Sequence, residues 1–79
     1  MLVHTLDTND QIESVTGGQY VVSTFLNGGT ASLETQLNGS NRWSNVGTLS
    51  DGQPQTLTLG TSSKVKLTKT GSAVVELSK

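Results

Sequence analysis

Apolar and polar residues alternate with a period of two along most of the chain, which is typical of β-strands. No long window carries apolar side chains at the spacing of an amphipathic helix. Turn residues, mainly glycine, asparagine and aspartate, separate the alternating runs. Strands are therefore predicted at residues 2–6, 19–26, 30–37, 42–49, 55–59, 63–69 and 72–77, and residues 12–15 are interpreted as a short strand or an extended lead-in.

The segment 19–26 is the most apolar of the predicted strands. Its apolar residues fall on both faces, with Tyr20, Val22 and Leu26 on one and Val21 and Phe25 on the other. Apolar residues on both faces predict a central strand that is covered on each side. In the segment 42–49, Trp43 and Val46 have an odd spacing, and a bulge near Ser44 and Asn45 would point both inward.

The turns between these segments suggest how the strands are connected. Asn27-Gly28-Gly29 and the run 38–41 supply the positive-φ residues that tight hairpins need. Seven or eight short strands at spacings of about 8–12 residues predict an all-β fold, a small antiparallel β-sandwich or barrel. Hairpins are expected to make most of the connections, with one Greek-key crossover at residues 50–54.

The chain has 79 residues, which fits one domain with a thin core. Residues 1–11 are interpreted as an N-terminal arm or first strand with a polar hinge at 7–11, and residues 12–79 as a single β-sandwich domain. Without cysteine, and with one histidine, neither disulfides nor a histidine-based metal cluster can reinforce the core. Oligomerisation, or docking onto a larger partner, is the expected reinforcement.

Charge and hydropathy exclude several classes of partner. The net charge of −1 lacks the basic excess expected of a nucleic-acid-binding protein. No run approaches the about 20 apolar residues of a membrane span. Residues 1–20 lack the basic and apolar regions of a signal peptide, so synthesis in a cytoplasm is expected.

The residues that could carry catalysis have no recognisable partners. His4 has no serine or cysteine nucleophile at a known family spacing. Asp7, Asp10 and Glu13 lack the glycine and closing glutamate of an EF-hand. No GK[ST] follows the glycine pairs, which excludes a phosphate-binding loop. The sequence therefore predicts a protein that is not an enzyme, with no catalytic residue, cofactor site or metal site.

Two surface features suggest binding roles. Lys64, Lys66 and Lys69 form a small basic stripe, in which Lys64 and Lys66 alternate with Val65 and Leu67. The stripe is interpreted as protection of an edge strand or as a solvated face, with a weak anionic contact as the alternative. Trp43, with Arg42 beside it, is interpreted either as an anchor of the core or as a platform on which a sugar ring could stack.

The central and final parts of the chain carry a series of motifs in residues 20–25, 28–34, 38–39, 43–47, 64–67 and 71–75. In the central part, a strand is followed by a Gly-Gly-Thr turn, a Leu-containing strand, an Asn-Gly turn and a Trp-x-x-Val element. At the end, a lysine-bearing strand is followed by a glycine turn and a valine-rich strand. These motifs resemble those of small virion proteins of tailed phages, of the capsid decoration (cement) or head-fibre type.

This resemblance implies a non-enzymatic virion structural protein, located on the capsid surface. It would bind the major capsid protein and stabilise the shell as a homo-oligomer, with a trimer favoured. Leu2, Val3 and Leu6 would form an arm that pairs with a capsid strand, so deletion of residues 1–6 is expected to abolish binding and leave the sandwich folded. The alternatives are a carbohydrate- or host-surface-binding β-sandwich that uses Trp43, and a phage tail or adaptor component.

Overall fold

The fold consists of eight β-strands and contains no helix. The computed structural model describes the backbone of residues 1–79 and the side chains of all residues except 47 and 48. The strands are β1 (Leu2–Leu6), β2 (Ile12–Val15), β3 (Gly18–Phe25), β4 (Thr30–Gln36), β5 (Ser44–Thr48), β6 (Gln55–Leu59), β7 (Ser63–Thr70) and β8 (Val74–Ser78). Each lies within two residues of its predicted bounds.

The strands form two four-stranded antiparallel sheets that pack face to face. Sheet A has the order β1-β8-β3-β6, and sheet B has the order β2-β7-β4-β5. The buried core lies between the sheets and consists of Leu6, Val15, Tyr20, Val22, Leu33, Leu59, Val65, Leu67, Val75 and Leu77. The predicted small β-sandwich is confirmed, and the sandwich is not a closed barrel.

The connections differ from the predicted hairpins. Only β4 and β5 are adjacent both along the chain and within a sheet, whereas every other connection crosses from one sheet to the other. The prediction that hairpins dominate is therefore wrong, and the segment 50–54 is one of several crossovers. Two antiparallel sheets of four strands with this order form a jelly roll, the double Greek-key arrangement.

The faces of β3 also differ in part from the prediction. Tyr20 and Val22 are buried between the sheets, as expected. Val21 and Phe25 point to the other face of sheet A, where they are 42% and 44% exposed. The prediction of a strand covered on each side is therefore wrong, because no other element of the described chain packs on the outside of sheet A.

Residues 1–6 form an integral edge strand rather than a free arm. β1 pairs with β8 along its length, and Leu6 is fully buried in the core. The ammonium group of Met1 donates to the carbonyl oxygen of Lys79 at 2.6 Å, and the Lys79 N–H donates to the Met1 carbonyl at 2.9 Å. Of the two interpretations of this segment, the first strand agrees with the structure, and the free capsid-binding arm does not.

The polar segment 7–11 is held in place and does not resemble a hinge. The Gln11 side-chain carbonyl accepts hydrogen bonds from the backbone N–H groups of Asp7 and Thr8 at 3.0 and 3.3 Å. The Lys69 N–H donates to the Asn9 side chain at 3.0 Å. The Asp10 N–H donates to the Leu67 carbonyl at 2.7 Å. These bonds fix the segment where it crosses from sheet A to sheet B.

The core contains two buried hydroxyl groups without a partner in the described chain, those of Thr24 and Ser63. A buried hydroxyl that makes no hydrogen bond destabilises the folded state. We expect Thr24→Val, which replaces the hydroxyl by a methyl group of similar shape, to raise the free energy of unfolding by about 1 kcal/mol. Urea denaturation measures the change.

Thr35→Val is the matched control for this substitution. The Thr35 hydroxyl donates to the Lys64 carbonyl oxygen at 3.0 Å, so its loss should lower the free energy of unfolding by about 1 kcal/mol. Equal destabilisation by both variants would contradict the assignment of an unsatisfied hydroxyl at Thr24.

Candidate functional site

His4 links the two sheets at one open side of the sandwich. Its Nε2 donates to the Ser14 carbonyl oxygen at 3.2 Å, and its Nδ1 lies 4.0 Å from Oε1 of Glu13. β1 and β2 are edge strands of different sheets, so these contacts bridge the gap between the two edges. The contacts of His4 are therefore structural, because they join β1 to β2.

The carboxylates likewise make local contacts. Glu13 accepts a hydrogen bond from the Gln11 side chain at 2.7 Å, and Asp51 accepts one from the Leu26 N–H at 2.8 Å. Among the described residues, no three histidine, cysteine or acidic side chains come together in a way that could hold a metal ion. The structure also contains no helix long and apolar enough to cross a membrane.

The outer face of sheet A is the first candidate binding surface. The strand register places Leu2 and Val21 on either side of Ser78, and Phe25 directly opposite Val74. Leu2, Val21 and Phe25 are exposed, and Val74 is half-buried. We refer to these four residues as the apolar face of sheet A.

The structure separates the three residues that were predicted to form an arm. Leu2 is 52% exposed and belongs to the apolar face of sheet A. Val3 lies at an irregularity in the pairing of β1 with β8 and is 39% exposed. Leu6 is fully buried and cannot contact a partner. The sequence indicated the apolar character of Val21 and Phe25, but not that they lie exposed on the same sheet face as Leu2.

Trp43 lies on the outside of sheet B and not in the core. It is half-buried, and the ammonium group of Lys66 lies 5.0 Å from the centroid of its ring. Such a cation–π contact stabilises both side chains at a surface. Trp43 is therefore not an anchor of the core. Val46 packs against the core. The two residues thus lie on opposite faces of the sheet, which accounts for their odd spacing along the chain.

The lysines of β7 do not protect an edge. β7 lies between β2 and β4, so the edge strands of sheet B are β2 and β5. In the pairing of β7 with β4, Lys66 lies opposite Glu34 and Lys64 lies opposite Gln36. These lysines lie on the outer surface of a central strand, so the edge-protection interpretation is wrong and the solvated-face interpretation describes them.

A cleft next to Lys64 is the second candidate binding surface. It has a volume of about 290 Å³ and lies between the β4–β5 loop and the β6–β7 turn. Sequence reasoning identified residues 38–41 only as a hairpin turn, because the approach of the β6–β7 turn is a non-local feature. The side chains that line it include those of Gln36, Leu37, Asn38, Asn41, Ser62 and Lys64.

Comparisons of the chain with protein-family models, with curated proteins and with solved structures find no match. The resemblance to phage virion proteins therefore stays a prediction from the sequence. The jelly-roll strand order establishes the fold alone, since one fold serves many unrelated functions.

Proposed function

We propose that this protein is a non-enzymatic structural component of a virion. In this role it binds the outer surface of the capsid, contacts the major capsid protein and stabilises the shell as a homo-oligomer, with a trimer favoured. The observation that supports the proposal is the apolar face of sheet A. The jelly roll, which is also found in viral capsid domains, adds support only as a fold-level analogy.

The apolar face of sheet A has the character of a contact surface. Several exposed apolar side chains on one sheet face, interspersed with polar ones, favour a protein contact at that face. Phe25 is the aromatic residue of this face, and aromatic side chains are frequent anchors at the centres of interfaces. Thr5, Ser23 and Glu76 lie in register between the two apolar pairs and supply polar contacts.

The proposal predicts the copy number of the chain in purified virions. Quantitative mass spectrometry should find hundreds of copies of the wild-type chain in each particle. For the double variant Val21→Thr with Phe25→Ser, we expect a reduction of about tenfold or more, since burial of one large apolar side chain contributes about 1.5–3 kcal/mol. Both positions are exposed, so the variant should remain folded.

Ile12→Thr is the matched control, because Ile12 is 50% exposed on β2 of the other sheet. Its copy number should equal that of the wild type. A few copies in each particle would instead indicate a tail or adaptor component. Absence of the wild-type chain from virions would contradict the proposal.

The alternative of a sugar platform at Trp43 has less support. The ammonium group of Lys66 lies over the indole ring, where it competes with a stacked sugar for that face. Trp43 is also not among the residues that line the cleft. We therefore do not assign Trp43 a binding role.

A further inference from the structure

The cleft between the β4–β5 loop and the β6–β7 turn combines polar and apolar groups in the manner of a ligand site. The amide side chains of Gln36, Asn38 and Asn41 can each donate and accept hydrogen bonds, and so can the hydroxyl of Ser62. These groups come from the end of β4, the β4–β5 loop and the β6–β7 turn, and they line one volume. Such convergence of a few polar groups is characteristic of small-molecule sites.

The polar side chains of the cleft are not used by the fold. In the described part of the chain, no hydrogen bond or ion pair is made by the side chains of Gln36, Asn38, Asn41, Ser62 or Lys64. The amides elsewhere include several that hold the backbone, such as Gln11 and Asn27. The cleft therefore offers a set of donors and acceptors that remain available to a ligand.

An apolar side chain accompanies these polar groups. Leu37 is 59% exposed, and its Cδ2 reaches the β6–β7 turn, where a Cβ at Gly60 would lie 3.4 Å away. A saccharide ring presents C–H groups on its faces and hydroxyl groups around its rim. The C–H face matches Leu37, and the rim matches amides and hydroxyls that both donate and accept.

The cleft also has a positive charge. Lys64 lines it, and no carboxylate is among the described lining residues. The nearest acidic residue in the register, Glu34, lies opposite Lys66 rather than Lys64. An anionic substituent on the ligand would therefore pair with Lys64 without repulsion in the cleft.

We propose that this cleft binds a saccharide that carries a carboxylate group. The volume of about 290 Å³ lies near the lower end of the range for ligand sites, which fits one or two sugar rings. The amides and Ser62 would bind the ring hydroxyls, Leu37 would contact the C–H face, and Lys64 would bind the carboxylate. This assignment is independent of the virion role, since it uses a different surface from the apolar face of sheet A.

Glucuronic acid and glucose form a matched pair of probes, because they share a ring and differ only in the group at C6. We expect titration of the full ¹⁵N-labelled chain with glucuronic acid to shift the backbone amide signals of residues 36–41 and 62–64 in NMR spectra. Glucose should shift the same signals, with an affinity about tenfold lower, because it lacks the charge-assisted contact to Lys64.

Three variants separate the contributions. Lys64→Met should remove the preference for glucuronic acid and leave glucose binding unchanged, whereas Lys64→Arg should retain the preference. Leu37→Ser should weaken binding of both sugars, and Ile12→Ser, at an exposed apolar position on β2, should weaken neither. The spectra of each variant also report whether it is folded.

Two results would overturn the proposal. The first is the absence of localised shifts with either sugar up to its solubility limit. The second is that acetate produces the same shifts with the same affinity as glucuronic acid, which would show a site for a simple anion without recognition of the ring. Neither result would bear on the virion role, which depends on the apolar face of sheet A.

Discussion

A chain that lacks residues 1–6 is expected to be unfolded. The deletion removes β1, the edge strand that pairs with β8 from Leu2 to Leu6. It also removes the contact of His4 with Ser14, which links the edges of the two sheets. A terminal strand that is tied into the sheet and into the core differs from the frayed ends at which truncation is usually tolerated.

The loss of Leu6 gives the scale of this effect. Leu6 is fully buried, and removal of one buried leucine side chain costs about 2–5 kcal/mol. The loss of β1 also exposes the inner-face residues Val75 and Leu77 along the new edge of sheet A. Native domains have a stability of only roughly 0.05–0.15 kcal/mol for each residue, so a chain of this length has little to spare.

Circular dichroism during thermal unfolding checks this prediction. The full chain should show a cooperative transition, and the chain of residues 7–79 should show none. The double variant Leu2→Ser with Val3→Ser is the control, because it alters only exposed side chains and should retain the transition. A truncated chain with an unchanged transition would restore the interpretation of residues 1–6 as a dispensable arm.

The positions of the strands could be predicted because they depend on local pattern. The bounds of β1, β2 and β6 agree with the alternation of apolar and polar residues at those segments. The largest differences are at β5 and β8, which begin at Ser44 and Val74 rather than at Arg42 and Ser72. Alternation is a property of each strand alone, so it predicts the position of a strand without knowledge of the strands that pair with it.

The partners of the strands could not be predicted in the same way. A short glycine turn such as Asn27-Gly28-Gly29 reverses the chain whether the next strand joins the same sheet or the opposite one. Here β3 lies in sheet A and β4 in sheet B, so this turn crosses the sandwich. The choice depends on how distant segments share the core, and that information is not contained in the turn.

The candidate surfaces were beyond sequence reasoning for a similar reason. The alternation placed Val21 and Phe25 on one face of β3, but only the full sheet order shows that nothing in the described chain covers that face. The approach of Ser62 to the β4–β5 loop creates the cleft, and these segments are distant along the chain. By contrast, the absence of a recognisable catalytic constellation was a prediction from local motifs, and no measurement of activity has tested it.

Gly29→Ala is expected to destabilise the fold strongly, because the turn between β3 and β4 packs closely against the turn between β7 and β8. A Cβ at Gly29 would overlap the carbonyl oxygen of Thr70 and would lie 2.9 Å from its carbonyl carbon. The two segments are also joined by the Thr30 N–H, which donates to the Thr70 hydroxyl at 3.0 Å. Because the overlap is with backbone, no side-chain rotation can relieve it, and the strands must separate.

Gly28→Asn is the matched control at the adjacent residue. Gly28 has a φ of 83°, and a Cβ there would have no neighbour within 4 Å. Asparagine tolerates such a left-handed conformation, so this substitution should cost less than about 1 kcal/mol. For Gly29→Ala we expect a loss of about 3 kcal/mol or more in urea denaturation, at or above the upper end of the usual range for one substitution. Similar small losses for both variants would contradict the close contact between the two sheet-crossing turns, and with it the way in which the jelly roll is closed at this end.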